Sequence, residues 1–303
     1  MLIATLPPLR QHKADIARCP SIDGLRINTS MPILKSEKET LKDMLALAGK
    51  KPLWVDLKCR QLRITSFGDT CYELVEISHK IKVNLPCEVL FKDCRGLVTE
   101  IIGGNKLVLE TRPDYIVGKG QAINILDESL EIDGFLTESD KRWIKAGKEL
   151  DFHNYMLSFV EGVKDIEELR ALDPQAQAVL KIESRRGMKF VLGQWGKIDK
   201  TGLSLMAARD DLYINMGAQK AEIIRCLDSI ISKDPNAIVA SRIMTSLEKN
   251  SEPDLRDFSD LEMLQEMGYE NFMLSDGICC NLELFSKAVE HIKAWQNIRF
   301  GEL

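Results

Sequence analysis

Ala178-Val179-Leu180-Lys181-Ile182-Glu183 reads as a buried strand whose end carries two opposite charges. Side chains alternate across a strand, so Lys181 and Glu183 point the same way. An apolar strand carries such a pair on one face where that face meets water, a metal or an anion. A solvated strand end with an incidental ion pair is the plain alternative. What surrounds the run decides between the two.

Seven further short apolar runs share its character: Leu2–Thr5, Gly24–Ile27, Leu53–Leu57, Asn154–Phe159, Leu203–Ala207, Ala237–Ser241 and Asn271–Leu274. Helical segments are expected between most of them. Ser36–Ala48 has Leu41, Met44 and Leu45 on one face, and Thr137 is placed to cap a helix with Trp143 and Ile144 inside. Asp165–Leu172, Ala218–Ser232, Phe258–Met267 and Leu282–Ile298 complete the series. Eight strands alternating with helices predict a (β/α)8 barrel.

One interval breaks the rhythm. Between Cys59 and Ile125 the chain is rich in strand and turn signals: Lys80–Val83, Cys87–Phe91, Gly96–Ile102, Lys106–Glu110 and Ala122–Leu126, with Gly103-Gly104-Asn105 a strong turn. The expected organisation is therefore α/β. A barrel is formed by residues 1–58 and 127–303, and a small all-β domain of residues 59–126 is inserted after the third strand. An insertion there falls on the face where barrel active sites lie and is a candidate lid.

The strand ends converge on one mouth. They deliver Arg26, Asn28 and Ser30; Asp56, Leu57 and Lys58, with Arg63 just beyond; Lys181 and Glu183; Ala208, Asp210 and Asp211; Ser241; and Ser275-Asp276. Arg26, Lys58, Arg63 and Lys181 suit an anionic substrate. Glu183 and Asp211 suit a hard divalent ion, because magnesium takes one or two carboxylates and fills its shell with substrate oxygens and water. Backbone N–H groups after Asp211 are placed for a substrate carboxylate. Capping of a helix is the plain reading of Asp210 and Asp211.

The chain as a whole sets limits. Its 303 residues, 45% hydrophobic and 29% charged, are ordinary for a soluble globular protein. A net charge of -5 argues against nucleic acid. No apolar run suits a bilayer, and Met1-Leu2-Ile3-Ala4-Thr5-Leu6-Pro7-Pro8 does not read as a signal peptide. The eight cysteines, Cys71 among them, form no CxxC pair and do not cluster with the four histidines. Zinc is not expected, and reduced thiols in a cytoplasmic protein are. Trp143, Trp195 and Trp295 read as packing residues, Arg185-Arg186 as a solvated helix start, and Cys279-Cys280 as small fillers.

The motifs, taken in order, resemble those of the pyruvate kinase family. Thr5-Leu6-Pro7-Pro8 is similar to Thr-Ile-Gly-Pro, and Arg26, Asn28 and Ser30 fit Arg-x-Asn-x-Ser-His. Asp56–Arg63 fits Asp-Thr-Lys-Gly-Pro-Glu-Ile-Arg, and Gly118–Asn124 resembles the lysine-rich segment closing the inserted domain. Leu136–Asp140 resembles Leu-Thr-Glu-Lys-Asp, Ser158-Phe159-Val160 resembles Ser-Phe-Ile, Lys181-Ile182-Glu183 matches Lys-Ile-Glu, and Ala208–Leu212 fits Ala-Arg-Gly-Asp-Leu. Pro253, Ser259-Asp260 and Met273-Leu274-Ser275 fall in family order.

The resemblance implies a phosphotransferase acting between phosphoenolpyruvate and ADP, with pyruvate and ATP as products. It implies that Arg26 and Lys181 bind the transferring phosphoryl group and that Ser241 stands near the enolate carbon. Ala208, Asp210 and Asp211 complete the substrate site, and Pro8, Arg63 and Lys119 face the nucleotide. Glu183 and Asp211 would hold Mg2+ or Mn2+. Asn28, Ser30, Asp56 and the Leu57 backbone would hold K+. Any homo-oligomer would form through the barrel.

The departures cluster on one side. Met31 replaces the family histidine, Cys59-Arg60-Gln61 replaces Gly-Pro-Glu, and Asp210 replaces a glycine, adding negative charge that would repel a substrate carboxylate. Ser241-Arg242 replaces Thr-Gln, and Asp276-Gly277-Ile278-Cys279 replaces Gly-Glu-Thr-Ala. The family's C-terminal regulatory domain and most of its N-terminal arm have no counterpart, so the usual sugar-phosphate control is not expected. Three readings fit: a minimal pyruvate kinase, a metal-dependent lyase or aldolase working through a pyruvate enolate, or a non-catalytic paralogue.

Overall fold

The computed structural model describes residues 1–67, 73–91, 94–110, 113 and 118–300. Cys71 and the last three residues of the expected barrel segment lie outside them. Strands β1 (Leu2–Thr5), β2 (Gly24–Asn28) and β3 (Leu53–Leu57) come first, with α1 (Lys13–Arg18) and α2 (Glu37–Ala48) between them. Next come β4 (Ile64–Phe67), β5 (Leu74–Ile77), β6 (Ile81–Lys82), β7 (Cys87–Phe91), β8 (Cys94–Ile102), β9 (Lys106–Leu109), β10 (Asn124–Ile125) and β11 (Glu131–Ile132). The chain continues through α3 (Glu138–Lys148), β12 (Asn154–Leu157), α4 (Val163–Leu172), β13 (Gln177–Ile182), α5 (Arg185–Gly193), β14 (Leu203–Ala208), α6 (Arg209–Asn215) and α7 (Ile223–Lys233). It ends with β15 (Ile238–Ala240), α8 (Leu255–Glu266), β16 (Asn271–Met273), α9 (Asp276–Cys279) and α10 (Leu282–Phe300).

Eight parallel strands close a barrel in the order β1-β16-β15-β14-β13-β12-β3-β2. Ile3, Met156, Val179, Met206, Ile238 and Met273 fill its interior, and Trp54 packs against them. Gly24 makes room for Trp54, because a Cβ there would lie 2.7 Å from the indole ring. The opposite strand faces, among them Leu25, Val55, Leu180 and Ile182, pack on the helices in a second, larger core. Parity then follows. Val179 points into the barrel, so Lys181 and Glu183 continue the same face toward the mouth.

The insertion leaves after β3 and forms its own six-stranded sheet, β10-β7-β8-β9-β5-β4, with a separate core including Val89, Phe91, Val98 and Leu107. Gly103 and Gly104 turn β8 into β9 with φ of 62° and 86°, a conformation that glycine adopts without Cβ strain. Antiparallel pairing continues past this sheet, since β11 pairs with β6.

Local chemistry sets several helix starts. Thr137 caps α3 in a reciprocal box with Asp140, and Ser36 does the same for α2 with Glu39. Asp254 forms the box with Asp257, so α8 starts at Leu255, ahead of the expected Phe258. The stretch expected as one helix over Ala218–Ser232 is split: Gly217–Glu222 is 3-10, with a kink at Gln219, before α7 begins. Trp143, Trp195 and Trp295 are all buried, as packing residues should be.

Candidate active site at the barrel mouth

A cavity of about 260 Å³ opens at the C-terminal ends of the strands. It is lined by Arg26, Asn28, Ser30, Asp56, Leu57, Lys58, Arg63, Lys181, Glu183, Ala208, Asp210, Asp211 and Ser241. These residues come from five barrel strands and the loops that follow them, and they meet in one place. Pro8 and Lys119 do not line it. Pro8 is buried with its carbonyl accepting from Lys13 Nζ at 2.6 Å, and Lys119 is exposed.

Lys181 sits at the centre. Its Nζ is 3.0 Å from Ser158 Oγ, 3.1 Å from Glu183 Oε1 and 3.4 Å from Asp56 Oδ1. Burial disfavours the charged lysine, but Asp56 and Glu183 outweigh it and raise its pKa above the ordinary value. Lys181 is therefore a fixed cation and not a base. Ser158 was not among the expected site residues. Its signal is parity, because Met156 faces the barrel interior and Ser158 lies two residues on.

Glu183 is 1% exposed, and its Oε2 accepts from the Phe159 amide at 2.7 Å. Phe159 adopts φ of 52°, a left-handed conformation unusual for an aromatic residue. Of six non-glycine residues with positive φ among the described residues, five (Cys59, Phe159, Ser241, Arg242 and Met244) lie just beyond barrel strand ends. Strain of this kind collects where backbone must aim donors or side chains.

Asp211 stands at the start of α6, close enough to Glu183 for that charge to oppose its ionisation. Desolvation, then the Glu183 charge, push its pKa up to about 7. Its carboxylate has no hydrogen-bond donor among the described residues. Two neighbouring carboxylates, one with uncommitted oxygens, form a donor set that suits a hard divalent cation. No group of three or more metal-ligating side chains occurs among the described residues, so such an ion would draw its remaining ligands from substrate and water.

The four residues expected to hold K+ are differently placed. Asp56 Oδ2 accepts from Arg26 Nε at 2.7 Å, and Lys181 and Arg26 depress the Asp56 pKa although burial acts the other way. The Leu57 carbonyl accepts from Ser158 Oγ at 2.8 Å. Asn28 gives Nδ2 to Asp276 Oδ2 at 2.6 Å, and its Oδ1 accepts from the Ser30 amide at 2.9 Å. The Asp56, Leu57 and Asn28 oxygens already have protein donors, and a guanidinium sits among them. The site does not fit a free monovalent cation without rearrangement.

Two departures turn out to be partners. Asp210 Oδ1 accepts from Arg242 Nε at 2.5 Å, and the Arg242 guanidinium lies 5.2 Å from the centre of the Tyr213 ring. The extra negative charge at Asp210 is thus compensated within the protein. Arg60 reaches Asp165 through both terminal nitrogens, at 3.0 and 2.5 Å, and the Phe159 carbonyl at 2.8 Å, tying the loop after β3 to the loop after β12. Arg209 donates to the Ser241 carbonyl through Nε and NH2 and grips Asp260 at 2.6 and 2.8 Å. It fixes the loop that carries Ser241. Burial lowers the pKa of Arg63, and burial and Arg63 lower that of Lys58. Gln61 accepts from Arg63 NH2. Asp140, besides capping α3, accepts from the amides of Lys58 and Cys59 at 2.8 and 3.0 Å.

Fold and site together define a (β/α)8-barrel protein with an inserted β domain and a mouth where clustered cations interleave with carboxylates. Residues 58–279 match the family described as pyruvate kinase, barrel domain, and the chain belongs to that family. It is 26% identical over 305 residues to a pyruvate kinase of Methanocaldococcus jannaschii, covering 91% of this chain and 64% of that protein. It is 25% identical over 279 residues to one of Thermotoga maritima, covering 79% of this chain and 58% of that protein. The chain thus spans about three fifths of the length of these relatives. The crystal structure of pyruvate kinase from Pyrobaculum aerophilum superposes with a TM-score of 0.71 at 20% identity, covering 97% of this chain and 72% of that one. A pyruvate kinase structure from Cryptosporidium parvum gives 0.73 at 16% identity, covering 97% and 68%. No helix among the described residues is long and apolar enough to cross a membrane.

Proposed function

We propose that the mouth transfers a phosphoryl group between phosphoenolpyruvate and ADP. The observation that carries this reading is the buried cation Lys181 set 3.1 Å from Glu183, with Asp211 beside them. Phosphoryl transfer asks for charge neutralisation and alignment more than for covalent help. A divalent ion bound by Glu183 and Asp211 would neutralise charge on the phosphoryl group and the enolate oxygen.

The chain's own residues supply the rest. Lys181, and Arg26 once released from an acidic partner, would meet the phosphoryl oxygens, and Lys181 would then stabilise the enolate left when the phosphorus–oxygen bond breaks. The phosphoryl group passes to the terminal oxygen of ADP, and the enolate carbon takes a proton to give pyruvate. Ser241, a cavity-lining residue whose carbonyl Arg209 holds, would pass that proton in from solvent. Arg63 and Lys58 offer positive charge on the side of the inserted domain. No step rests on a monovalent ion.

A second reading is favoured by one observation: Arg26 is already bound by acidic side chains. Enolate chemistry on a pyruvyl group, without phosphoryl transfer, needs the divalent site and Lys181 but not a free Arg26. Phosphorus NMR on the protein with phosphoenolpyruvate, ADP, magnesium and potassium tests both. ATP formed by the wild type and not by Lys181→Met supports the first. No ATP from folded wild-type protein removes it and leaves enolate exchange on pyruvate as the reaction to assay.

A further inference from the structure

Asp276 is an acidic group at the mouth that neither reading uses. It opens α9 directly after β16, and its carboxylate bridges two residues of β2. Oδ1 accepts from Arg26 NH1 at 2.7 Å, and Oδ2 accepts from Asn28 Nδ2 at 2.6 Å. The Arg26 contact has the short distance of a charge-assisted bond. Arg26 has little left to offer a ligand. Nε and NH2 reach Asp56 Oδ2 at 2.7 and 2.6 Å, and NH1 reaches Thr5 Oγ1 at 2.9 Å as well as Asp276.

The two counter-ions of Arg26 differ in depth. The Asp56 side chain is 3% exposed, and that of Asp276 is 36% exposed. Asp56 is locked between Arg26 and Lys181, whereas Asp276 stands on the cavity side with water access. The turn that carries it is braced. Ser275 Oγ donates to Glu248 Oε1 at 2.8 Å and accepts from the Ile278 amide at 3.2 Å, and a Cβ on Gly277 would strike the Glu248 carboxylate.

We propose that Asp276 is a displaceable internal anion that holds the Arg26–Asn28 seat until a ligand oxyanion takes its place. This rests on reading the mouth as an anion site. It makes Asp276 a specificity-determining residue. A monocarboxylate exchanges one carboxylate for another and gains nothing at this seat. A dianionic group of the phosphoryl class carries more charge toward Arg26 and also meets Lys181, so it displaces Asp276 at a net gain.

Inorganic phosphate and acetate are the probes, titrated into magnesium-loaded protein without phosphoenolpyruvate or ADP. The wild type should bind phosphate and discriminate against acetate. Asp276→Asn keeps the shape and removes the charge, so phosphate should bind at least about tenfold tighter, a change of ~1.4 kcal/mol. Acetate should then bind measurably, and the discrimination should shrink. Unchanged or weaker phosphate binding in folded Asp276→Asn overturns the proposal. Asp276→Gly repeats the test without the side chain. A crystal structure of the wild type with phosphate gives a check independent of any variant. Asp276 should have left Arg26, and phosphate bound with that contact intact overturns the proposal. Because no nucleotide is present, failure to form ATP leaves this result untouched, and a gain in phosphate affinity does not by itself establish phosphoryl transfer.

Discussion

The two halves of the mouth solve the problem of clustered charge differently. On the side built by β12, β13 and β14, Lys181 is shared by Glu183, Asp56 and Ser158, and Asp211 keeps a carboxylate with no protein donor among the described residues. On the side built by the loops after β15 and β16, cations are closed by acids of the chain itself: Arg242 by Asp210 and Arg26 by Asp276. The first half is left incomplete and calls for a ligand. The second is complete, and a ligand must compete for it. The departures from the family pattern at Asp210, Arg242 and Asp276 all contribute to the second half, so divergence here has closed seats instead of stripping the site.

That contrast can be broken by substitution. The largest effect is expected at Lys181, where Lys181→Met should lower phosphoryl transfer about a thousandfold in a coupled assay, as loss of a preorganised charge on the transition state does. A variant still within tenfold of wild type would show that the first half is not the reacting one. Next is Glu183→Gln, which should weaken Mn2+ binding, read by electron paramagnetic resonance, by about a hundredfold.

The same titration against pH sharpens the comparison. Asp211 is pushed up to about 7, and a divalent ion held there would need its carboxylate form. Metal affinity should therefore fall as pH falls below 7, by up to about tenfold per unit, and level off above it. Asp211→Asn should flatten the profile. A smaller effect is expected on the closed side. Arg242→Ala removes one half-exposed member of an ion pair and should weaken phosphate binding by about fivefold or less.

The smallest effect lies at the opposite end of the barrel. His153 Nδ1 is 2.8 Å from Asp173 Oδ2, and that contact raises its pKa despite some burial. Its contribution is fully present below the unfolded-state pKa and is lost as pH rises through the raised folded value. His153→Gln should lower stability by within about 1 kcal/mol at pH 6 and by nothing measurable at pH 9, read by thermal melts. A larger loss at pH 9 would mean that the pair acts through packing and not charge.

Much of the fold was legible because its signals are local. Each barrel strand is a short apolar run whose alternation separates an interior face from a helix-packing face. The elements missed were short or weakly patterned. The two-residue β11, the four-residue α9 and the six-residue α1 are too brief to show a period, and β4 and β5 in the insertion carry polar residues on their open side. Strand parity also carried Arg26, Asn28, Asp56, Lys181 and Glu183 to the mouth, and it would have carried Ser158. It had no hold on Pro8 and Lys119, which lie in loops whose course no alternation describes.

The sequence by itself determined the barrel, the inserted domain and most of the strand-borne side chains that reach the mouth, because hydrophobic alternation and chain order are enough to set them. Only the tertiary structure decided which charges are spent and which are free. Arg26 and Asp276 are 250 residues apart, and Asp210 and Arg242 are 32 apart. Nothing local links the members of either pair. Closure of the barrel brings β16 beside β1, one strand away from β2, and sets β14 beside β15, and Coulomb attraction at hydrogen-bond distance does the rest.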